Sequence, residues 1–240
     1  MIDNTYPLSW QKDDFQIKVF CSIPNIATGI LIKAAQNYFI VDPGDGILRD
    51  LNSEIGTKNI LSISDIFISH GHHDHVGGVW SLLTYMRVMR KDTPLTLHFP
   101  KGCKEIISIY SAFDQVYSHS LPYKIILNEI PDTEKFKSSK DLVITPFPVI
   151  HKEFLNDGVT KGQVPAIGFN FEHNNIKICY GGDTAFCTEL EEAAKNVDLA
   201  IIEAGHDEHE NTPDDMHMTL EEAKKIGESA KEYFLVHVPE

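Results

Sequence analysis

Cysteine is scarce in this chain: four in 240 residues, Cys21, Cys103, Cys179 and Cys187, with no C-x-x-C spacing. That argues for reduced, mostly buried thiols of a cytoplasmic protein rather than a disulfide framework. Long apolar runs are missing too. None approaches the ~20 residues that span a bilayer, so no membrane partner is expected. The first residues, Met1 to Thr5, are neither basic nor followed by an apolar stretch, and do not read as a signal peptide. Basic charge is in deficit, with 21 Lys and Arg against 35 Asp and Glu and a net charge of −14. A protein that grips polyphosphate through many contacts carries a basic footprint. A nucleic-acid partner is therefore not expected, whereas a small-molecule anionic substrate is compatible. A homodimer stays open.

What the chain does hold is histidine, concentrated in the run His70-Gly71-His72-His73-Asp74-His75. The run follows a strand-like stretch, Ile63 to Ser69, so a strand end can turn several donors toward one point. Neutral imidazole with carboxylate suits zinc, and iron or manganese with less preference. The spacing is too tight for one ion to use every group. His70 and His72 can face one way and Asp74 and His75 another, which suggests two metals side by side. Further donors stand at or near strand ends: His151 after Val149-Ile150, Asp183 after Gly181-Gly182, and His237 in Phe234-Leu235-Val236-His237. Any one alone would be an ordinary core residue. Together they make a set that sheets hold rigidly.

Periodicity organises the rest. Residues 15–22 and two runs within 27–42 read as an antiparallel meander, ending at the Val41-Asp42-Pro43-Gly44-Asp45-Gly46 turn. A short helix through Leu48 and Leu51 follows. Val79, Leu82, Leu83, Met86 and Met89 mark a core-facing helix within 77–90. Strands are expected at 94–99, 123–130, 142–150, 198–203 and 232–238, helices at 102–116, 186–195 and 219–230, and a hairpin at 166–180 turning on Asn174-Asn175. No repeat or linker divides the chain, so a single domain over 1–240 is expected. The order suggests an α+β fold of two mixed sheets face to face with helices outside, an αββα sandwich.

The H-x-H-x-D-H run with His151, Asp183 and His237 resembles the metallo-β-lactamase superfamily over nearly the whole chain. The resemblance implies two divalent metal ions: His70, His72 and His151 on the first, Asp74, His75 and His237 on the second, Asp183 bridging. It implies that Asp42 orients a ligand from beneath. It also implies a hydrolase in which a hydroxide between two cations, ~3.5–4 Å apart in such sites, attacks carbon or phosphorus, with Asp74 accepting a proton. Redox members carry a glutamate where His72 stands, so oxidase chemistry is not expected.

Two segments resemble the ribonuclease Z-like phosphodiesterase branch: Ile201-Ile202-Glu203-Ala204-Gly205, and His217-Met218-Thr219 at a helix start. The resemblance gives His217 general-acid work at the leaving oxygen and Glu203 its orientation. An imidazole with a pKa near 6.5 suits that work at neutral pH. As a plain surface feature, the segment would be a helix start with Thr219 as N-cap. Two departures count against tRNA 3′ processing. The interval from His151 to Asp183 is too short for the long arm that holds tRNA. Cys21-Ser22-Ile23-Pro24-Asn25 stands where a phosphate-loop glycine motif would be. The leading expectation is a phosphodiesterase on a small or nucleotide-derived diester. Alternatives are a lactone, ester or thioester hydrolase on the same metals, a ribonuclease Z-type endonuclease, and a non-catalytic module. Residues 152–163 read as an ordinary loop or a wall of the substrate pocket with Phe154 and Lys161 as contacts. His206 and His209 read as part of a solvated loop, with an accessory metal as the alternative.

Overall fold

The computed structural model describes residues 6–21, 28–131, 133–138, 140–206 and 216–238. Ser22 to Asn25 and the stretch 207–215, which includes His209, lie outside the described residues. The chain divides between Ile130 and Pro131 into two compact units, each with its own large mixed sheet.

The first unit begins with a meander: β1 (Leu8–Lys12), β2 (Phe15–Cys21), β3 (Thr28–Ala34) and β4 (Asn37–Val41). The period-two pattern of β2 explains its place, since Phe15, Ile17 and Val19 are buried while Gln16 and Lys18 are half-buried. Then come α1 (Ile47–Glu54), α2 (Gly56–Ser62), β5 (Asp65–Phe67), α3 (His73–Val76), α4 (Val79–Val88), β6 (Leu95–Pro100), α5 (Lys104–Tyr117) and β7 (Ile125–Ile130). The sheet runs β1 to β7 in chain order, antiparallel through β4 and parallel from β4 to β7. Parallel neighbours need crossover connections, and the helices supply them. Val79, Leu82, Leu83 and Met86 of α4 are fully buried in one cluster with Ile66, Leu97 and Ile106. Met89, expected on that face, instead follows the last turn and is exposed.

One buried cation fixes the strand that carries the histidine run. The Lys91 ammonium donates to the carbonyls of Leu61 and Ile63 at 2.7 Å each and to Thr93 Oγ1 at 2.9 Å. It thereby satisfies carbonyls at the C-terminal end of α2, just before β5.

The second unit holds β8 (Phe136–Lys137), β9 (Val143–Pro148), β10 (Lys152–Phe154), β11 (Lys161–Gln163), β12 (Ile167–His173), β13 (Ile176–Tyr180), α6 (Thr188–Ala194), β14 (Leu199–Glu203), α7 (Leu220–Gly227) and β15 (Tyr233–Val236). Its six-stranded sheet is ordered β15-β14-β13-β12-β9-β8, with β13, β14 and β15 parallel. Asn174 and Asn175 both take positive φ at the β12–β13 turn, as a tight hairpin requires. Thr219 caps α7 through a reciprocal box with Glu222.

The segment read as a loop is in fact an antiparallel ribbon, β10 with β11. Asp157 builds its tip by accepting from the amides of Val159 and Thr160 and from the Thr160 hydroxyl. Turn chemistry of this kind was hidden behind the polar composition. Among the described residues, no helix is long and apolar enough to cross a membrane.

Candidate metal centre

In the first unit, β5 ends at Phe67 and the chain enters the histidine run through Ser69. Asp42, just past β4, is the anchor beneath it. Its fully buried carboxylate accepts from the Ser69 amide at 2.7 Å and the Ser69 hydroxyl at 2.5 Å, and lies 2.9 Å from His75 Nδ1. Ser69 Oγ in turn lies 3.0 Å from His70 Nδ1. Because the hydroxyl proton goes to Asp42, Oγ accepts from the imidazole. Both rings are therefore held as Nδ1–H tautomers, which makes Nε2 the atom of each that could bind a metal. The His70 ring centroid is 4.7 Å from that of His72 and 4.1 Å from that of His75. Asp74 Oδ2 lies 3.4 Å from His75 Nε2. Asp42 adopts φ +45°, a strained backbone at the residue that orients both histidines.

We expect Asp42→Ala to lower metal affinity about 10- to 100-fold, the usual cost of losing a group that orients ligands. Isothermal titration of the metal-free protein checks this; unchanged affinity would make Asp42 a turn residue only.

In the second unit, Asp183 sits two glycines beyond β13, His151 three residues beyond β9 and His237 directly beyond β15. His151 is fully buried, and its Nδ1 donates to the Met216 carbonyl at 3.0 Å, so the same tautomer logic applies. Ligand atoms of Asp183, His217 and His237 all lie within 4.8 Å of one another. Asp183 Oδ2 is 3.9 Å from His237 Nε2 and 4.0 Å from His217 Nδ1. His217 stacks on His237 at 5.3 Å between centroids. Imidazole nitrogens beside carboxylate oxygens, with His70, His75 and His151 fixed through Nδ1, fit a divalent metal by chemistry and by orientation.

Glu203, at the end of β14, ties this half together. It is almost fully buried, and it accepts from the amides of Thr184 at 3.0 Å, Met218 at 3.2 Å and Gly205. His217 Nδ1 is 3.3 Å from its Oε1. Burial pushes the Glu203 carboxyl above the usual carboxylate range, while His217 pulls it back. Gly205 is required here, because a Cβ would come within 2.6 Å of the His237 ring and 3.0 Å of His217 Nδ1.

Ser69, Thr184 and the Met216 carbonyl support the site without any signal in the sequence. A serine before a histidine has no signature of its own. Thr184 also exchanges hydrogen bonds with the Ile150 backbone, next to His151. His206 is buried and its amide donates to the Met218 carbonyl, so it is not part of a solvated loop.

Residues 37–238 match the β-lactamase superfamily domain family. The chain belongs to that family. It is a metal-dependent hydrolase with the metallo-β-lactamase fold. A curated ribonuclease Z of Thermococcus sibiricus is 27% identical over 255 residues, covering 84% of this chain and 76% of the relative. The short form of human tRNase Z superposes with a TM-score of 0.67 at 21% identity, covering 88% of this chain and 86% of that one. Unliganded yeast PDE1 does so with 0.64 at 14% identity, covering 88% and 83%. The two structural likenesses show the shared fold. The expectation against nucleic acid gains no support from superfamily relatives named ribonuclease Z. Overall acidity was a weak guide, because net charge describes the whole surface and not one site.

Proposed function

We propose that this superfamily member is a dinuclear phosphodiesterase acting on nucleotide-derived diesters through one catalytic domain over residues 1–240. His70, His72 and His151 would hold one ion, Asp74, His75 and His237 the other, and Asp183 both. The donor types favour zinc, with manganese or iron also accepted. When bound, such cations supply Lewis-acid activation of water and of the phosphoryl group. The observation that carries the reading is the His217–Glu203 pair beside Asp183. Glu203 holds His217 at Nδ1, so that Nε2 delivers a proton to the departing oxygen as the ester bond breaks. Asp74 accepts a proton from the attacking water.

The ribbon supplies a substrate contact. Phe154 and Lys161 are directly opposed, with the Lys161 ammonium 5.1 Å from the ring centre. Its base is tied to the third histidine, since the Val164 amide donates to the His151 carbonyl at 3.0 Å. An aromatic face beside a cation suits a base next to a phosphate. Lys161→Ala is expected to raise KM for a dinucleotide about tenfold with kcat little changed; an unchanged KM would remove the ribbon from the substrate site.

A second reading, RNA 3′-end hydrolysis, is favoured by the ribonuclease Z relatives. Buried free thiols at Cys103, Cys179 and Cys187 suit a reducing compartment such as the cytoplasm. The test is a panel of bis-p-nitrophenyl phosphate, dinucleotides, a 3′-extended tRNA, lactones and thioesters on the metal-loaded protein. Turnover of the phosphodiesters supports the proposal. Turnover of lactones and thioesters alone would overturn it.

A further inference from the structure

One face of the first sheet carries a groove of about 360 Å³, lined by residues of β1 to β4 and by Glu54, Ile55 and Asn59 around the junction of α1 and α2. That volume lies in the range of small-molecule sites. No residue of the histidine run, and neither Asp42 nor Ser69, lines it.

Strand register builds the floor. Gln16 lies opposite Lys33, and Lys33 opposite Tyr38, so one row crosses β2, β3 and β4 on the same face. Leu31, two residues before Lys33, shares that face, and Ile55 lines the groove from the junction between α1 and α2. The Lys33 ammonium stands 5.9 Å from the Tyr38 ring centre.

Charge selects the occupant. The lining holds two ammoniums, Lys18 and Lys33, against one carboxylate, Glu54, and Glu54 is ion-paired with Lys18. One positive charge is left in excess, on a chain whose net charge is −14. A cationic ligand would face Lys33. A neutral one would gain nothing from it.

We propose that this groove binds a small organic anion with a planar apolar body. Its head is held by Lys33 and the Gln16 amide, and its body packs against Tyr38, Leu31 and Ile55. The site is separate from the metal centre and does not rest on the proposed phosphodiesterase activity.

The experiment is an amide-resolved NMR titration of the ¹⁵N-labelled full chain with 2-naphthoate and, in parallel, with neutral 2-naphthamide. Saturable shifts at Gln16, Leu31, Lys33 and Tyr38, with the amide about tenfold weaker, are the expected result. Lys33→Met should weaken naphthoate by a similar factor and leave the rest of the spectrum in place. The proposal is overturned if these amides do not shift, if naphthoate and naphthamide bind equally, or if Lys33→Met binds naphthoate as tightly as the parent. The comparison of the two ligands needs no variant, so it decides the matter even if Lys33→Met folds poorly.

Discussion

Replacing His217 with alanine is expected to cut kcat/KM on a dinucleotide, whose leaving group is an alkoxide, about a thousandfold, within the usual span for a lost general acid. The loss follows from position. His217 stacks on His237, stands 4.0 Å from Asp183 and is steadied by Glu203. The leaving group in a diester departs as an alkoxide or phenoxide, and the variant has no proton to give it. A substrate with a good leaving group needs the proton less, so the deficit should grow from p-nitrophenyl esters to alkyl esters. Metal content must be measured on the same sample. Ligand atoms of Asp183, His217 and His237 lie close enough to share an ion. If the variant keeps its metal and loses rate, His217 acts on the substrate. If it loses metal in step with rate, His217 is a ligand and the general-acid assignment fails.

The second large effect is on folding. Gly44→Ala should destabilise the protein by about 4 kcal/mol or more, a large part of the 5–15 kcal/mol that holds an ordinary domain together. A Cβ at position 44 would lie 2.0 Å from the Asp74 carbonyl oxygen and 2.4 Å from that of Thr28, both backbone atoms. The Gly44 amide donates to the Thr28 carbonyl at 2.8 Å, and the Gly78 amide to that of Pro43 at 2.8 Å. The turn is therefore wedged between β3 and the start of α4, directly against the histidine run. Relief requires moving Asp74, so metal affinity should fall together with stability. Gly56→Ala is the comparison. Gly56 has φ +69° but nothing within 4 Å, so its cost should be about 1 kcal/mol, from the backbone alone. Denaturant midpoints of the two variants decide the point. Equal losses would mean that the close approach at Gly44 is of no consequence.

Much of this was legible in the residues. The candidate donors stood out because histidines and carboxylates gather at short spacings and at strand ends, and the strands β6, β7, β9, β12, β13, β14 and β15 showed alternating or apolar runs. The parts that stayed hidden share a cause. β1, α2 and the β10–β11 ribbon are short and largely polar, and tertiary pairing rather than local pattern makes them regular. Met89 fitted the helical spacing, yet α4 ends one residue earlier and turns it outward. Ser69 and Thr184 bind their neighbours through single hydroxyls, which leave no periodic trace.

The most direct test is elemental analysis of the purified chain beside its Asp183→Ala variant, each dialysed and then reloaded with zinc. About two tightly held divalent ions per parent chain are expected, with loss of both metal and diester hydrolysis in the variant. A parent that holds no ion after reloading, or a variant that keeps the full complement, would contradict a dinuclear centre.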